Sequence, residues 1–376
     1  MRKADGTVRV AADPASGAAD WAGPALAAVL ERAARTADEV GARFPLYADP
    51  ETGEWTTTGR GSWTGGCWAG LLWLRALSSG ASEDRAAAAH CTERLGYWTA
   101  QDTAARGLVL WYGTALAAGP GGDEAAAALR DRAARACLDA YEPEWGVVPW
   151  GAAFGGPRLL ARADGVPGMV PLLAGAPGCG RGAAYGHLTR HLALCLAEDP
   201  PRPAWRARPD GTWAACAEPA PGWSRTAAWL LLGVADGLWH LGEGGLWEAA
   251  GRLVALRTAP GAALVPPAQD GRPAGAGHLP GPPDTSAAAI EAVAALKLAA
   301  LARAAGRGSE GDPLMRWGQR ILHRLSVTHL SPTGALRDGC YDAARGLAPR
   351  HELVWGDFFF AWGLALLTGL VEPFTM

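Results

Sequence analysis

The sequence predicts an all-α fold, an (α/α)6 toroid of six helical hairpins, as a single domain over 1–376. Two observations predict it. Twelve helix-length segments follow one another along the 376 residues, with few strand patterns between them. The twelve also alternate in kind: one carries charge on one face, and the next is apolar nearly all round. A helix of the second kind must be buried on most sides. An inner ring of six wrapped by an outer ring of six meets both demands. It also lets a chain of this length stay in one domain, although length alone suggests two or three.

The elements follow in order. Residues 1–20 read as a flexible segment, basic at the start and without the apolar core of a signal peptide. The first half-exposed helix is PALAAVLERAARTADEVG from Pro24, and Trp63 opens the first apolar one, SWTGGCWAGLLWLRAL. Next come SEDRAAAAHCTERLGYW from Ser82 and the apolar QDTAARGLVLWYG with Asp102, then GDEAAAALRDRAARACLDAY from Gly122 and ADGVPGMVPLL with Asp164. RGAAYGHLTRHLALCLAE from Arg181 precedes WSRTAAWLLLGVADGLW with Ser224 and Arg225. GGLWEAAGRLVAL from Gly244 precedes DTSAAAIEAVAALKLAAL with Asp284, and DPLMRWGQRILHRLSV from Asp312 precedes WGDFFFAWGLALL with Asp357. A polar or aromatic residue thus opens each apolar run. Helix N-termini gathered at one end of a ring form a polar cavity whose free N–H groups suit carboxylates and anions. The connectors are rich in Gly and Pro. The two longest, 198–211 and 266–284, read as lids, rims or plain connectors, and GVVPW reads as a short strand pairing at the rim.

Composition narrows the function. Apolar residues at 49% support a large core, and a formal charge of −3 leaves no basic footprint for nucleic acid. No uncharged apolar run is long enough to span a bilayer. Eighteen Trp against six Tyr and six Phe supply flat faces for stacking sugar-like rings, beyond those that fill the core. The seven Cys are scattered, odd in number and without a C-x-x-C pair, which fits buried thiols in a reducing cytoplasm.

Several side chains carry candidate chemistry. Asp102 and Asp164 precede helical runs, where a carboxylate serves as a cap, a turn residue or an acid/base. Asp284 and Asp357 read mainly as caps. Arg225 sits on a buried helix and needs a partner, either a substrate carboxylate or an internal aspartate such as Asp102. His187 and His191 share a helix face, but no third ligand lies near in sequence and no H-E-x-x-H occurs, so no metal is expected. The glycines at 178–182 follow no strand, and no G-x-S-x-G elbow is present, so neither a dinucleotide cofactor nor a serine hydrolase is indicated. No cofactor is expected, and the partner is a small molecule; the oligomeric state is not readable.

Five segments resemble the unsaturated glucuronyl hydrolases, glycoside hydrolase family 88, over roughly residues 40–370. SWTGGCWAGLLWL resembles W-T-x-G-F-W-x-G-x-L-W, and GWSRTAAWLLLGVADGLWHLGE resembles the W-S-R-G-Q-A-W helix. RPDGTW resembles R-x-D-G-S. DTSAAAIEAVAALKL resembles D-[ST]-S-A-x-A-I-A-A, and GALRDGCYDAARGLAPRHELVWGDFFFAWGLALL resembles the closing G-C-Y to W-G-D-Y segment. The resemblance implies an (α/α)6 barrel that removes a 4,5-unsaturated uronic acid by hydrating its vinyl ether. An aspartic acid protonates the alkene, water adds at C5, and the hemiketal collapses. This requires a carboxyl group that is protonated at rest, which burial and a second carboxylate favour.

The resemblance assigns the first aspartate to Asp102, though the D-x-G-F that follows it in the family is absent there. The second belongs to I-I-D-x-x-x-N-x-P-L-L. The ungapped register on Pro171, Leu172 and Leu173 puts Gly165 at the aspartate and Met169 at the asparagine, with Asp164 one residue away. Trp150, fifteen residues before Gly165, matches a pocket tryptophan, as do Trp63 and Trp229, while Arg225 matches a pocket arginine. His187 or His191 matches the active-site histidine, and the family's His-Gln stretch is missing. Asp102 and Asp164 are thus the catalytic candidates; Trp63, Trp150, His187, His191, Arg225 and Trp229 are the substrate-binding ones. Three readings follow: a glycosidase of this type, a biosynthetic hydratase, dehydratase or cyclase acting on another enol ether or alkene, or a sugar-binding relative without activity.

Overall fold

The computed structural model describes residues 18–269 and 281–376. The expected flexible segment lies outside the described residues up to 17, as does the middle of the long 266–284 connector. Among the described residues twelve α-helices appear, in the expected alternation.

The inner helices are α2 (Gly65–Ser79), α4 (Tyr112–Ala118), α6 (Met169–Gly175), α8 (Arg225–Leu241), α10 (Thr285–Ala304) and α12 (Val354–Thr368). A π-helical turn, Gly107–Trp111, extends α4 at its start. Each packs on the next, the turn bridging α4 to α6, and α12 packs on α2 to close the ring. The outer helices are α1 (Ala18–Val40), α3 (Ser82–Arg94), α5 (Glu124–Asp139), α7 (Gly180–Cys195), α9 (Leu246–Thr258) and α11 (Gly308–Arg324). Each outer helix packs against inner neighbours. The fold is all-α, as the alternation of helix types requires.

The inner helices are apolar because the ring gives them no water-facing side. Phe358, Phe359, Trp362, Tyr112 and Trp229 meet as edge-to-face and tilted pairs with centroids 5.0–5.9 Å apart, a geometry that the ring quadrupoles favour. Helix α10 is long and apolar enough to cross a membrane by length and composition, but it is wholly enclosed in the ring. Its two fully buried charged side chains are paired, and Arg303 in its last turn bonds Asp312. Lys297 bonds Asp236, and Arg257 bonds Glu291 at 2.5 Å. Unpaired, either charge would be costly in such a core.

Glycines allow the tightest crossing. A Cβ on Gly107 would lie 2.5 Å from both the Pro167 carbonyl oxygen and the Met169 nitrogen, and Gly168, at φ +70°, faces the Gly107 carbonyl in return. The turn before α4 and the start of α6 therefore touch backbone to backbone.

Two small antiparallel sheets decorate the rim. One has the order β2–β1–β6, from Trp55–Thr58, Phe44–Ala48 and Glu352–Leu353. The other has the order β3–β4–β5, from Leu160–Arg162, Ala204–Ala207 and Trp213–Ala215. GVVPW forms no strand; Val147 makes only an isolated bridge to Glu142. All seven cysteines are free thiols, five of them buried, with Cys179 exposed and Cys216 half-buried.

Candidate active site

The second rim sheet borders an open hollow. In β3 and β4 the registered pairs are Leu160 with Arg206 and Arg162 with Ala204. Paired and alternate residues share a sheet face, so Arg162 and Arg206 point to the same side. They line an open hollow of about 470 Å³ together with Trp150, Phe154, Leu160 and Glu218. The Arg162 guanidinium lies 4.3 Å from the Trp150 ring centroid, the distance of a cation–π contact. Phe154 stacks on Trp98 at 5.2 Å with planes 14° apart. The hollow thus combines aromatic walls with two guanidinium groups and one carboxylate.

Asp164 lies beside this hollow. It sits in a 3-10 turn, Ala163–Gly165, five residues ahead of α6, and caps no helix. Arg162 Nε and Nη2 donate to its two oxygens at 3.0 and 2.9 Å, a bidentate pair. The two side chains remain 24% and 15% exposed. The charge of Asp342 also favours the charged form of Arg162.

Asp102 has a different neighbourhood. It lies five residues before the π turn and caps no helix, contrary to the expectation that it opens one. Its carboxylate accepts from Ala152 N at 3.2 Å and pairs with Arg158 Nε at 3.3 Å. Its carbonyl accepts from Ala153 N at 3.1 Å. Asp102 therefore pins both ends of the 151–158 loop, with its side chain 42% exposed.

Behind the hollow, His187 is fully buried. Val148 N donates to its Nδ1 at 3.0 Å, which leaves Nε2–H to donate to the Gly165 carbonyl at 3.1 Å. His191 Nδ1 lies 2.7 Å from the His187 carbonyl. Burial pushes both imidazoles down, His187 well below its ordinary range and His191 to about 4, so both are neutral near pH 7. Among the described residues no cluster of three or more His, Cys, Asp or Glu could hold a metal.

Trp63 donates from Nε1 to the Tyr341 hydroxyl at 3.3 Å and packs on Trp355 with centroids 4.7 Å apart. It keeps a partly open face. Arg225 finds its partner in Asp284 at 2.8 Å, not in Asp102. It also donates to the Cys340 and Tyr341 carbonyls and lies over Trp223. With 4% exposure it works as a cross-link between α8, α10 and the 340–341 loop. Asp284 caps α10 through Ser286 N and Ala287 N, as expected. Asp357 is the fourth residue of α12 and accepts from Leu336 N at 3.0 Å. Burial pushes its carboxyl well up, and neighbouring Glu352 adds to that. Trp229 is 1% exposed and packs edge-on against Phe359, within the core and away from any open surface.

The sequence-expected residues thus divide into groups. Trp150, Asp164, His187 and His191 cluster on one side, Trp63 packs apart from them on Tyr341 and Trp355, and Arg225 and Trp229 are enclosed. Arg162, Arg206 and Phe154 were not singled out from sequence. The signals for the arginines were the short alternating runs LAR and AWRA, which place both on one sheet face.

The same two segments approach again one turn away, where a Cβ on Gly165 would lie 3.1 Å from the Ala104 methyl. The two segments meet there with small, uncharged residues.

Comparison with solved structures agrees with the architecture. The unsaturated glucuronyl hydrolase of Bacillus sp. GL1 superposes with a TM-score of 0.78 at 21% identity, covering 92% of this chain and 96% of that one. An unsaturated glucuronyl hydrolase specific for heparin gives 0.81 at 18% identity, covering 94% and 99%. A Streptococcus agalactiae unsaturated glucuronyl hydrolase variant complexed with dGlcA-GalNAc6S gives 0.67 at 15% identity, covering 92% and 91%. No family model and no curated protein sequence matches the chain. The chain has the fold of the unsaturated glucuronyl hydrolases.

Proposed function

We propose that this chain is a divergent member of the unsaturated glucuronyl hydrolase family and that its substrate is a small acidic sugar carrying an unsaturated, flattened ring. The observation that carries this reading is the hollow beside the second rim sheet. Phe154 offers an edge of aromatic surface, Trp150 backs the Arg162 guanidinium, and Arg162 and Arg206 offer charge to the carboxylate of such a ring.

The reaction proposed is hydration of the vinyl ether. One alkene carbon takes a proton, water adds to the other, and the hemiketal opens to release the neighbouring sugar. Glu218 lines the hollow, and Asp164, held beside it by Arg162, is assigned as acid/base. Paired with Arg162, it is held as an acceptor, so it can act only when the guanidinium leaves it. Asp102 supports the site by fixing the loop that carries Phe154. The neutral imidazole of His187 fixes the Gly165 carbonyl next to Asp164. A cytoplasmic location rests on the seven unpaired thiols.

A specific observation favours a second reading. The resemblance places its second acid at Gly165, with Asp164 one residue away. A relative that holds the sugar without hydrating it, or that acts on another enol ether in biosynthesis, would tolerate this loss. One experiment separates these readings. The protein is incubated with unsaturated uronyl disaccharides while alkene absorbance and release of the second sugar are followed. Hydrolysis predicts that both change together. Binding by calorimetry without loss of absorbance supports a sugar-holding relative, and neither binding nor turnover with any disaccharide sinks both sugar readings and leaves only the other enol ether.

A further inference from the structure

We propose that Asp164 is a resident competitor for the anion seat on Arg162, and that an acidic ligand binds by displacing it. The proposal rests on the reading of the hollow as a site for an acidic ring, and it adds how that site selects its ligand.

The seat is already formed. Arg162 presents Nε and Nη2 in the fork that matches a carboxylate, and Asp164 fills that fork at 3.0 and 2.9 Å. Arg162 also lines the open hollow. Its plane is set by Trp150 at 4.3 Å, so the fork is aimed whether or not Asp164 occupies it. The remaining nitrogen, Nη1, makes no hydrogen bond among the described residues, and the side chain is 24% exposed. Arg225, which cross-links three elements, is by contrast 4% exposed. Arg206 adds a second positive charge from the same sheet face. A ligand that brings its own carboxylate into the hollow takes over the fork, and the Asp164 side chain turns away. A neutral ligand cannot make this exchange, so the ion pair acts as a filter for charge. The exchange forms one ion pair and breaks another, with no covalent step.

The test is calorimetric titration of the wild type, Asp164→Asn, Arg162→Gln and Arg162→Lys with three probes. These are an unsaturated uronyl disaccharide, its methyl ester, and benzoate, a flat carboxylate that is not a sugar. Removing the competitor should tighten the acidic disaccharide and benzoate by about fivefold in Asp164→Asn and leave the ester unchanged, as expected for a partly exposed ion pair. Arg162→Gln should erase the preference for acid over ester, and Arg162→Lys should keep part of it. Thermal melts confirm that each variant is folded. Should the disaccharide bind none of the proteins while benzoate still tightens in Asp164→Asn, the sugar reading falls and the exchange stands. Should no acidic probe bind Asp164→Asn more tightly than it binds the wild type, the exchange is overturned.

Discussion

Asp284 Oδ2 accepts from Arg225 Nη1 and from Ser224 Oγ, each at 2.8 Å, while its other oxygen caps the start of α10. One carboxylate therefore ends α10, neutralises the first residue of α8, and through Arg225 holds the Cys340 and Tyr341 carbonyls. Breaking such a pair leaves an uncompensated charge in the core. Asp284→Ala should cost about 3–5 kcal/mol of unfolding free energy, measured by urea denaturation. A loss below about 1 kcal/mol would mean that water reaches Arg225 and that the cross-link is ornamental.

The contact between Gly107 and Gly168 makes a second stability prediction. Gly168 combines positive φ with a backbone neighbour where a side chain would stand, and nothing flexible is there to yield. Gly168→Ala should destabilise by more than about 2 kcal/mol. Gly175→Ala, with nothing within 4 Å of its Cβ, serves as the control and should be near neutral or slightly stabilising. Equal effects at both positions would contradict the close crossing of the two inner segments.

Much of the architecture was legible because burial imposes period and polarity on a helix. Segments apolar all round became the inner ring, and those with one charged face became the outer ring. The Asp284 cap was legible too, since the DTSAAAI run begins where the carboxylate can reach the next N–H groups. Asp102 and Asp164 were harder. Each stands five residues ahead of its helical segment, and the intervening turns, not the residue type, decide where the carboxyl points. Their partners Arg158 and Arg162 lie beyond a loop or on a three-residue strand, too short for a periodic signal. Trp229 shows the same limit in reverse. It matches a pocket position in its motif, but Phe359 and the neighbouring inner helices enclose it.

The buried histidines predict a pH effect with a definite sign. Unfolded, His191 titrates near 6.5; folded, burial lowers it to about 4. A depressed histidine binds fewer protons in the native state than in the unfolded one, so its contribution is present above pH 6.5 and lost as pH falls towards 4. The raised carboxyls of Asp357 and Glu352 act in the opposite direction over acidic pH, so the difference between wild type and His191→Gln isolates the imidazole. That difference should shift by about 3 kcal/mol against the wild type between pH 6.5 and 4. A difference independent of pH would mean that His191 is reached by solvent.

Asp102 provides the sharpest separation of a supporting role from a chemical one. Its carboxylate accepts from Ala152 N and pairs with Arg158, and both contacts point into the 151–158 loop. An anchor needs an acceptor oxygen, which asparagine retains; an acid needs an exchangeable proton, which asparagine lacks. Asp102→Asn should therefore keep turnover, or ligand affinity, within about threefold of wild type, whereas Asp102→Ala should loosen the loop and weaken ligand binding about tenfold, in line with the loss of a charge-assisted bond. Faster amide exchange at Ala152 and Ala153 in Asp102→Ala, and unchanged exchange in Asp102→Asn, would tie the effect to the loop. A fall of a hundredfold or more in Asp102→Asn, with the loop still protected, would restore Asp102 as the proton donor and make Asp164 its partner.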